Sequence, residues 1–577
     1  MNRVLALALS AVLMLAASTS GKEPGGDNPD MFGVWWRGGR GAVELKKQCP
    51  WIKGVFAGIQ WSQLEPVGGK FDWPFFDKTF AEYAHAGLYV QFIVFVGPDS
   101  PRWIYSAGVP EVKTTPTYNP RGQLHKWTYP FYLNEDYKRY YQRMIREVAA
   151  HIDTLPAEVR NRVVCIQTAE GTTGDEGGYK GEPLDKRYEL PEAQWRAFKF
   201  ETWKLFDSLY RPKRPVVHLL INSGNRAQYN EWLNQNLPDA WRKAGNPGHG
   251  YQLNDEKFMM EFFDPLINHP ESGRLLRVRS EMDEMFKGWF QEAPVWNMYW
   301  LNLWGLHFGL DIFQHQTEAF TNPSFHEGFR FYAKYGGHKD AARSPGAWCA
   351  LRDGLEASDF RRFPDDDFGP GNWRGSADER RQGLERTLRI ARAFAPYGAV
   401  QGDPEKGMAM VMQNRDAKQM NDVGWNIESG NYQRYITQHD PNGTSQGYWR
   451  QGPKDQPYGR FARGFDVARG KNAMYFDILD PFFSGQPLDA HYPVTVRVIY
   501  LDSGKGSWVL KYDSVAEKEK IAIGVRNAGT GRWKEATAVL NDAYFGNRCP
   551  HSTDLMLVNT SNEDTLFHMI EVSREIR

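Results

Sequence analysis

The chain is predicted to fold as an α/β protein, a (β/α)8 TIM barrel followed by an antiparallel β-sandwich domain. Three observations predict this. As far as Gly337, short apolar runs alternate with longer segments of helical period, the rhythm of repeated βα units. Beyond Asp403 the helical period largely disappears, and short alternating runs separated by Gly, Asp and Asn replace it. The length of 577 residues is enough for one enlarged barrel and a further unit.

In chain order, the N-terminus opens with Met1-Asn2-Arg3 and an apolar stretch from Val4 to Ala17 broken only by Ser10, and it leaves through the small residues Ser18 to Gly21. A basic start, a short apolar run and a small-residue exit form a secretory signal peptide, too short for a comfortable membrane span. Residues 1–20 are therefore expected to be a leader, and the mature chain to be secreted or periplasmic. No Cys lies near the exit, so no lipid or other membrane anchor is expected. Residues 21–31, rich in Gly, Pro and Asp, form a linker.

Barrel strands are expected at Gly33 to Trp36, Val55 to Gln60, Leu88 to Phe95, Val163 to Thr168, Val216 to Asn222, weakly at Gly248 to Leu253, then at Leu275 to Ser280 and Gly309 to Gln314. Asn134 can cap a helix whose Tyr137, Tyr141, Met144, Ile145, Val148 and Ile152 share one face. Trp195, Phe198, Thr202, Phe206 and Leu209 mark a second helix. These elements place the barrel at 32–337. A helical bridge over 338–402 follows, with helices at Pro345 to Phe360 and Ala377 to Ala395 around a polar loop, Arg361 to Gly375. The sandwich is expected over 403–577, with strands at Asn431 to Thr437, Ala473 to Ile478, Val494 to Tyr500, Ser507 to Tyr512, Lys520 to Val525, Ala536 to Leu540, Asp554 to Val558 and Phe567 to Val572.

Composition narrows the function classes. The 70 basic residues cancel the 70 acidic ones, which leaves no long-range field to gather nucleic acid, so no nucleic-acid partner is expected. Cys49, Cys165, Cys349 and Cys549 are too few and too scattered for a disulfide framework or a metal cluster. No P-loop, His-Glu-x-x-His or Cys-x-x-Cys pattern occurs, and Asp365-Asp366-Asp367 reads as a solvated loop, so neither cofactor nor metal is expected. The 21 Trp offer flat faces for stacking on sugars as well as core volume.

In a barrel, active-site groups gather at the C-terminal ends of the strands. Glu170 follows the fourth strand and Glu281 ends the seventh, so both are expected to face one pocket. Cleavage of a glycosidic bond needs such a pair: one carboxylic acid protonates the leaving oxygen, and the other attacks the anomeric carbon or activates water. An acid at a strand end can instead cap a helix or pair with Arg, the reading given to Asp283 and Glu284. Asp175 and Glu176, in the loop after Glu170, remain competitors.

The segment Trp61-Ser62-Gln63-Leu64-Glu65-Pro66, then Gly69-Lys70-Phe71-Asp72-Trp73 with Asp77, and Pro101-Arg102-Trp103-Ile104 resemble the family 42 β-galactosidases and their relatives in clan A of the glycoside hydrolases. The resemblance spans Phe32 to Gly337. It implies Glu170 as acid/base and Glu281 as nucleophile of a retaining double displacement on β-glycosidic bonds, with a carbohydrate substrate. Most clan A enzymes carry Asn before the acid/base Glu, to contact the sugar 2-hydroxyl, whereas this chain has Ala169. Gln167 or Asn222 would have to supply that contact. Arg37, Trp61, Trp103, Gln167, Asn222, Arg279 and His315 complete the expected substrate-binding set, with Trp35, Trp36, Trp289 and Gln314 also near strand ends. Trp296, Trp300 and Trp304 follow helical spacing and are expected in the core. Alternatives are a non-catalytic glycan-binding protein on a barrel scaffold and an inverting glycosidase using a loop acid such as Asp175. Aromatics among turn formers in the C-terminal part (Tyr448, Trp449, Tyr458, Phe461, Trp533, Tyr544, Phe545) resemble jelly-roll modules that bind sugar chains or simply pack on the barrel.

Overall fold

The computed structural model describes residues 28–118, 124–125, 127–174, 177–213, 217–223, 227–243, 276–282, 285, 288–370, 376–400, 402, 429–483 and 493–575. The expected leader, most of the expected linker, the weak strand expected at 248–253, the loop acids Asp175 and Glu176, Asp283 and Glu284, and the side chain of Trp289 lie outside the described residues.

Eight strands close into a parallel barrel in sequence order: β1 (Gly33–Trp36), β2 (Gly54–Gln60), β3 (Tyr89–Phe95), β4 (Val163–Gln167), β5 (His218–Ile221), β6 (Trp241–Lys243), β7 (Val278–Met282) and β8 (Ile312–His315). The sixth strand is a correction. Trp241–Lys243 fills that place, pairing with β5 through Trp241 and Leu220 and with β7 through Lys243 and Arg279. Closure comes from β1 against β8, with Trp35 opposite Gln314 and Trp36 opposite His315.

The surrounding helices are α1 (Trp73–His85), α2 (Glu135–Ile152), α3 (Glu192–Tyr210), α4 (Ala227–Asn236), α5 (Pro294–His307) and α6 (His326–Tyr335). Asn134 caps α2 as expected, its side chain accepting from the Tyr137 N–H at 3.0 Å. The apolar face of α2 buries Tyr137, Tyr141, Met144, Ile145, Val148 and Ile152. α5 is buried almost all round, Trp296, Trp300 and Trp304 included, because a second layer covers the side that a barrel helix usually turns to water.

A buried charge triad locks the base of the barrel. Asp311, at the foot of β8, accepts from Arg277 at 2.8 Å, from Lys339 at 2.7 Å and from the Val278 N–H at 2.7 Å, and all three side chains are inaccessible. Replacing Asp311 with Ala leaves two buried cations without their counter-ion. The expected loss is about 3–5 kcal/mol of stability, read from the urea midpoint. A change under about 1 kcal/mol would show that neighbouring carbonyls alone satisfy both cations.

That second layer is two antiparallel sheets. One contains β9 (Gly346–Ala350), β10 (Tyr432–Arg434), β12 (Gln446–Trp449), β13 (Phe461–Gly464), β15 (Val494–Asp502), β18 (Arg532–Leu540) and β20 (Leu566–Arg574); the order β10-β9-β20-β13-β12 is extended by β15, which pairs with β20 and β18. The other runs β11-β14-β19-β16-β17: Ile436–His439, Ala473–Ile478, Leu555–Asn559, Ser507–Tyr512 and Lys520–Arg526. Met474, Phe476, Val496, Val498, Leu510 and Leu557 pack between them as a sandwich core.

The helix expected over Pro345 to Phe360 is a second correction. Gly346–Ala350 is strand β9, paired on both sides and buried at every position, so no alternation marks it. The helix expected at Ala377 to Ala395 forms as α7 (Ala377–Phe394), where Ser376 and Glu379 make a reciprocal capping box. The outer face of the seven-stranded sheet packs on the barrel: Trp300 donates to the Gly459 carbonyl at 2.7 Å, and the Tyr299 hydroxyl pairs with His568 at 2.9 Å.

Candidate active site

The centre of the barrel mouth is built on alternate residues of β7. Side chains two apart on a strand point the same way, so Arg279 and Glu281 both face inward while Ser280 and Met282 face the helices. Arg279 is fully buried and acts as a hub. It donates to Glu281 Oε2 at 2.9 Å, to Gln167 Oε1 at 2.8 Å and to Gln314 Oε1. Gln91 on β3 donates to the same Gln167 oxygen at 3.1 Å. Four strands are thereby joined around the Arg279 guanidinium.

Glu281 itself is held by cations on both oxygens: Lys243 Nζ lies 2.7 Å from Oε1, and Arg279 lies on Oε2. Burial alone would raise its pKa, but Lys243, Arg279 and Arg37 together hold it well below the usual carboxylate range. The two cations therefore favour the ionised form of Glu281.

Glu170 has the opposite surroundings. It is buried just beyond β4, and burial pushes its carboxyl up to about 7 against the opposing pull of Thr168, Lys199 and Trp203. Its Oε1 makes no hydrogen bond of good geometry among the described residues. The Tyr141 hydroxyl donates to the preceding carbonyl, Ala169 O, at 2.5 Å and fixes the backbone there. These neighbours come from the end of β4 and from α2 and α3, whereas those of Glu281 come from β6, β7 and the residue after β1. No hydrogen bond or ion pair joins the two carboxylates.

The expected substrate-binding residues divide. Arg37 is exposed at the end of β1 and acts electrostatically on Glu281, and Arg279 contacts it directly. Gln167 and Asn222 are buried and occupied: Gln167 holds Arg279 and Gln91, and both amides donate to the Gly174 carbonyl, at 3.4 and 3.1 Å. Gly174 sits at φ +70°, and a Cβ there would come within 2.6 Å of Ile93 Cδ1. These two residues therefore tie the loop after β4 to the ends of β4 and β5.

Trp61 is a correction, being fully buried with its indole N–H on Glu65 Oε2 at 2.9 Å and its ring against Trp103, Tyr137 and Tyr141. It has no free face to stack. Trp103, half-buried, donates to the Glu65 carbonyl at 2.9 Å and packs edge-on against Trp61 and Tyr140. Glu65 also takes the Gly69 N–H at 2.6 Å and the Arg143 guanidinium. The Trp-Ser-Gln-Leu-Glu-Pro motif thus builds a loop brace. Trp35 and Trp36 are buried likewise, donating to the Met31 carbonyl and the Thr317 hydroxyl.

His315 is the other correction. It is fully buried among Phe313, Phe320 and Phe329, and burial lowers its pKa to about 3. The strand period turns Gln314 inward and His315 out toward α6.

Sequence reasoning missed Lys243 and Gln91. Lys243 ends a strand of three residues, too short for any alternation to show. Gln91 gives a signal in hindsight, a lone amide in the apolar run Tyr89–Phe95.

Family 42 of the glycoside hydrolases, described as beta-galactosidase, matches residues 46–163. No curated protein matches the chain. Solved structures similar to it include the beta-galactosidase from the psychrophilic Marinomonas ef1, at 12% identity and TM-score 0.33 over 52% of this chain and 58% of that one. The cold-adapted beta-galactosidase from Rahnella sp. R3 is 13% identical, TM-score 0.36, over 66% of this chain and 65% of that one. The endo-beta-1,4-mannanase from Thermotoga petrophila is 14% identical, TM-score 0.35, over 58% and 82%. The chain thus spans less than two thirds of either beta-galactosidase. Residues 46–163 are thus similar to the family 42 beta-galactosidases, and they lie within the eight-stranded parallel barrel.

Proposed function

We propose that the chain is an exported glycoside hydrolase that cleaves β-glycosidic bonds of an oligo- or polysaccharide by retaining double displacement. Glu281 is the nucleophile and Glu170 the acid/base. The observation that carries this reading is the opposed setting of the two carboxylates: cations keep Glu281 ionised, and burial keeps Glu170 protonated near neutrality. In the first step Glu281 bonds to the anomeric carbon while Glu170 gives its proton to the departing oxygen. In the second, Glu170 takes a proton from water, and that water's oxygen displaces Glu281. Arg279 and Lys243 set the direction and charge of the nucleophile. Arg37 stands exposed at the rim, where it can meet substrate hydroxyls.

A second reading has its own support. The contacts of Glu170 lie toward α2 and α3, which favours a proton donor on the loop bearing Asp175 and Glu176. Both readings are tested by incubating the protein with aryl β-galactosides, galactans, β-glucans and algal polysaccharides and following the first-formed sugar anomer by proton NMR. Release of the β anomer first is expected. First release of the α anomer would establish inversion, in which a carboxylate activates water and Glu281 forms no bond to the sugar, and no release from any substrate would favour the glycan-binding alternative.

A further inference from the structure

The aromatic residues that the sequence singles out in the C-terminal part are mostly spent on packing. Trp449, Phe461 and Trp533 are buried, and Trp300 of the barrel meets Phe461 edge-on at 5.0 Å. The opposite face of the sandwich is different. A cavity of about 600 Å³ opens beside the paired strands β11 and β14 at the edge of the five-stranded sheet, within the roughly 300–1,000 Å³ typical of small-ligand sites. His439 on β11, Asp440 and Thr444 in the turn after it, Tyr475 on β14, and His551 and Ser552 before β19 line its wall.

The wall is assembled in advance. Tyr475 alternates with buried Met474 and Phe476, so its ring stands on the outer face, directly across from His439. The His551 ring meets Tyr475 at 4.4 Å and 63°. His439 Nδ1 donates to the His551 carbonyl at 3.2 Å, and its Nε2 lies 3.8 Å from Asp477. Asp440, His551 and Ser552 are non-glycine residues held at φ of +42°, +62° and +56°. Such conformations cost about 1–3 kcal/mol each and persist only where the surroundings enforce them, a condition that clusters at ligand sites.

The chemistry selects the ligand. A half-exposed phenol ring offers an apolar plane for the C–H face of a pyranose, and around it stand a carboxylate, two hydroxyls and the His551 imidazole, groups able to exchange hydrogen bonds with ring hydroxyls. The lining contains the Asp440 carboxylate and neither Lys nor Arg, which disfavours phosphate, sulfate and uronate groups. The His, Asp and Glu side chains among the described residues include no group arranged to hold a metal ion. We propose that this cavity, framed by Tyr475, His439, Asp440 and His551, is a binding site for a neutral saccharide, by which the sandwich holds a glycan chain independently of the barrel.

The test uses the full chain in affinity electrophoresis through gels containing soluble β-galactan, mixed-linkage β-glucan or sulfated carrageenan. At least one neutral polysaccharide should retard the protein, with Tyr475→Ala and Asp440→Asn each weakening the apparent Kd tenfold or more. Any turnover of an aryl β-galactoside by the barrel should be unchanged in both variants. Asn tolerates the left-handed backbone and can keep the turn's hydrogen bond to Gly443, so Asp440→Asn reports on binding even if Tyr475→Ala disturbs the sheet. No retardation by either neutral polysaccharide, retardation equal to wild type in Asp440→Asn, or loss confined to carrageenan would overturn the proposal.

Discussion

Glu281→Gln is expected to lower kcat on an aryl β-glycoside by roughly 10⁴-fold, the scale seen when one member of a catalytic set is removed, with KM little changed. An amide of the same shape keeps the contacts of the pocket but cannot bond to the anomeric carbon and leave again. The variant also leaves Lys243 and the Glu281 side of Arg279 facing a neutral group. Arg279 retains Gln167 and Gln314, so the stability cost is about 1–3 kcal/mol and the protein stays folded. Loss of turnover with an intact thermal transition separates the chemical role from a structural one. Turnover within a factor of ten of wild type would remove Glu281 from the reaction and leave it as the counter-ion of Arg279.

What the sequence revealed follows from how each element is buried. β1, β14 and β16 appear at the expected residues because their runs are bounded by turn formers. β6 and β9 escaped for opposite reasons: Trp241–Lys243 is too short to have a period, and Gly346–Ala350, buried on both faces, has none. The catalytic candidates were legible because strand ends are where a barrel places chemistry. Their partners were less so. The residue types at strand ends were visible, but only the pleat decides which of two neighbours faces inward, and it chose Gln314 over His315. Trp61 resembled a sugar platform, yet its N–H has a carboxylate partner inside the protein, Glu65, and a buried indole is satisfied there. Lys243, which with Arg279 determines the charge state of Glu281, belongs to the short strand that periodicity could not detect.

Glu170 yields the sharpest test, because its burial and its proposed chemistry predict different observables. A general acid matters most for a poor leaving group, so Glu170→Ala should lower turnover of natural polysaccharide by about 10²–10⁴-fold and spare an activated aryl glycoside far more. Azide should then restore aryl-substrate turnover and yield a β-glycosyl azide, since a small anion replaces the water that Glu170 would have activated. In the wild type, activity should fall as pH rises through about 7, where Glu170 loses its proton, and this limb should be absent from Glu170→Ala with azide. The same shift makes a separate stability prediction. Between about pH 4.5 and 7 the unfolded chain has released this proton while the folded chain keeps it, so stability falls as pH rises, by about 3 kcal/mol in all. Glu170→Gln, neutral at every pH, should lose that slope and exceed the wild type in stability at pH 8. If the stability slope disappears while polysaccharide and aryl substrates suffer equally and azide does nothing, Glu170 is a buried structural acid. The proton donor must then be sought at Asp175 or Glu176, where azide rescue of the corresponding alanine variant would identify it.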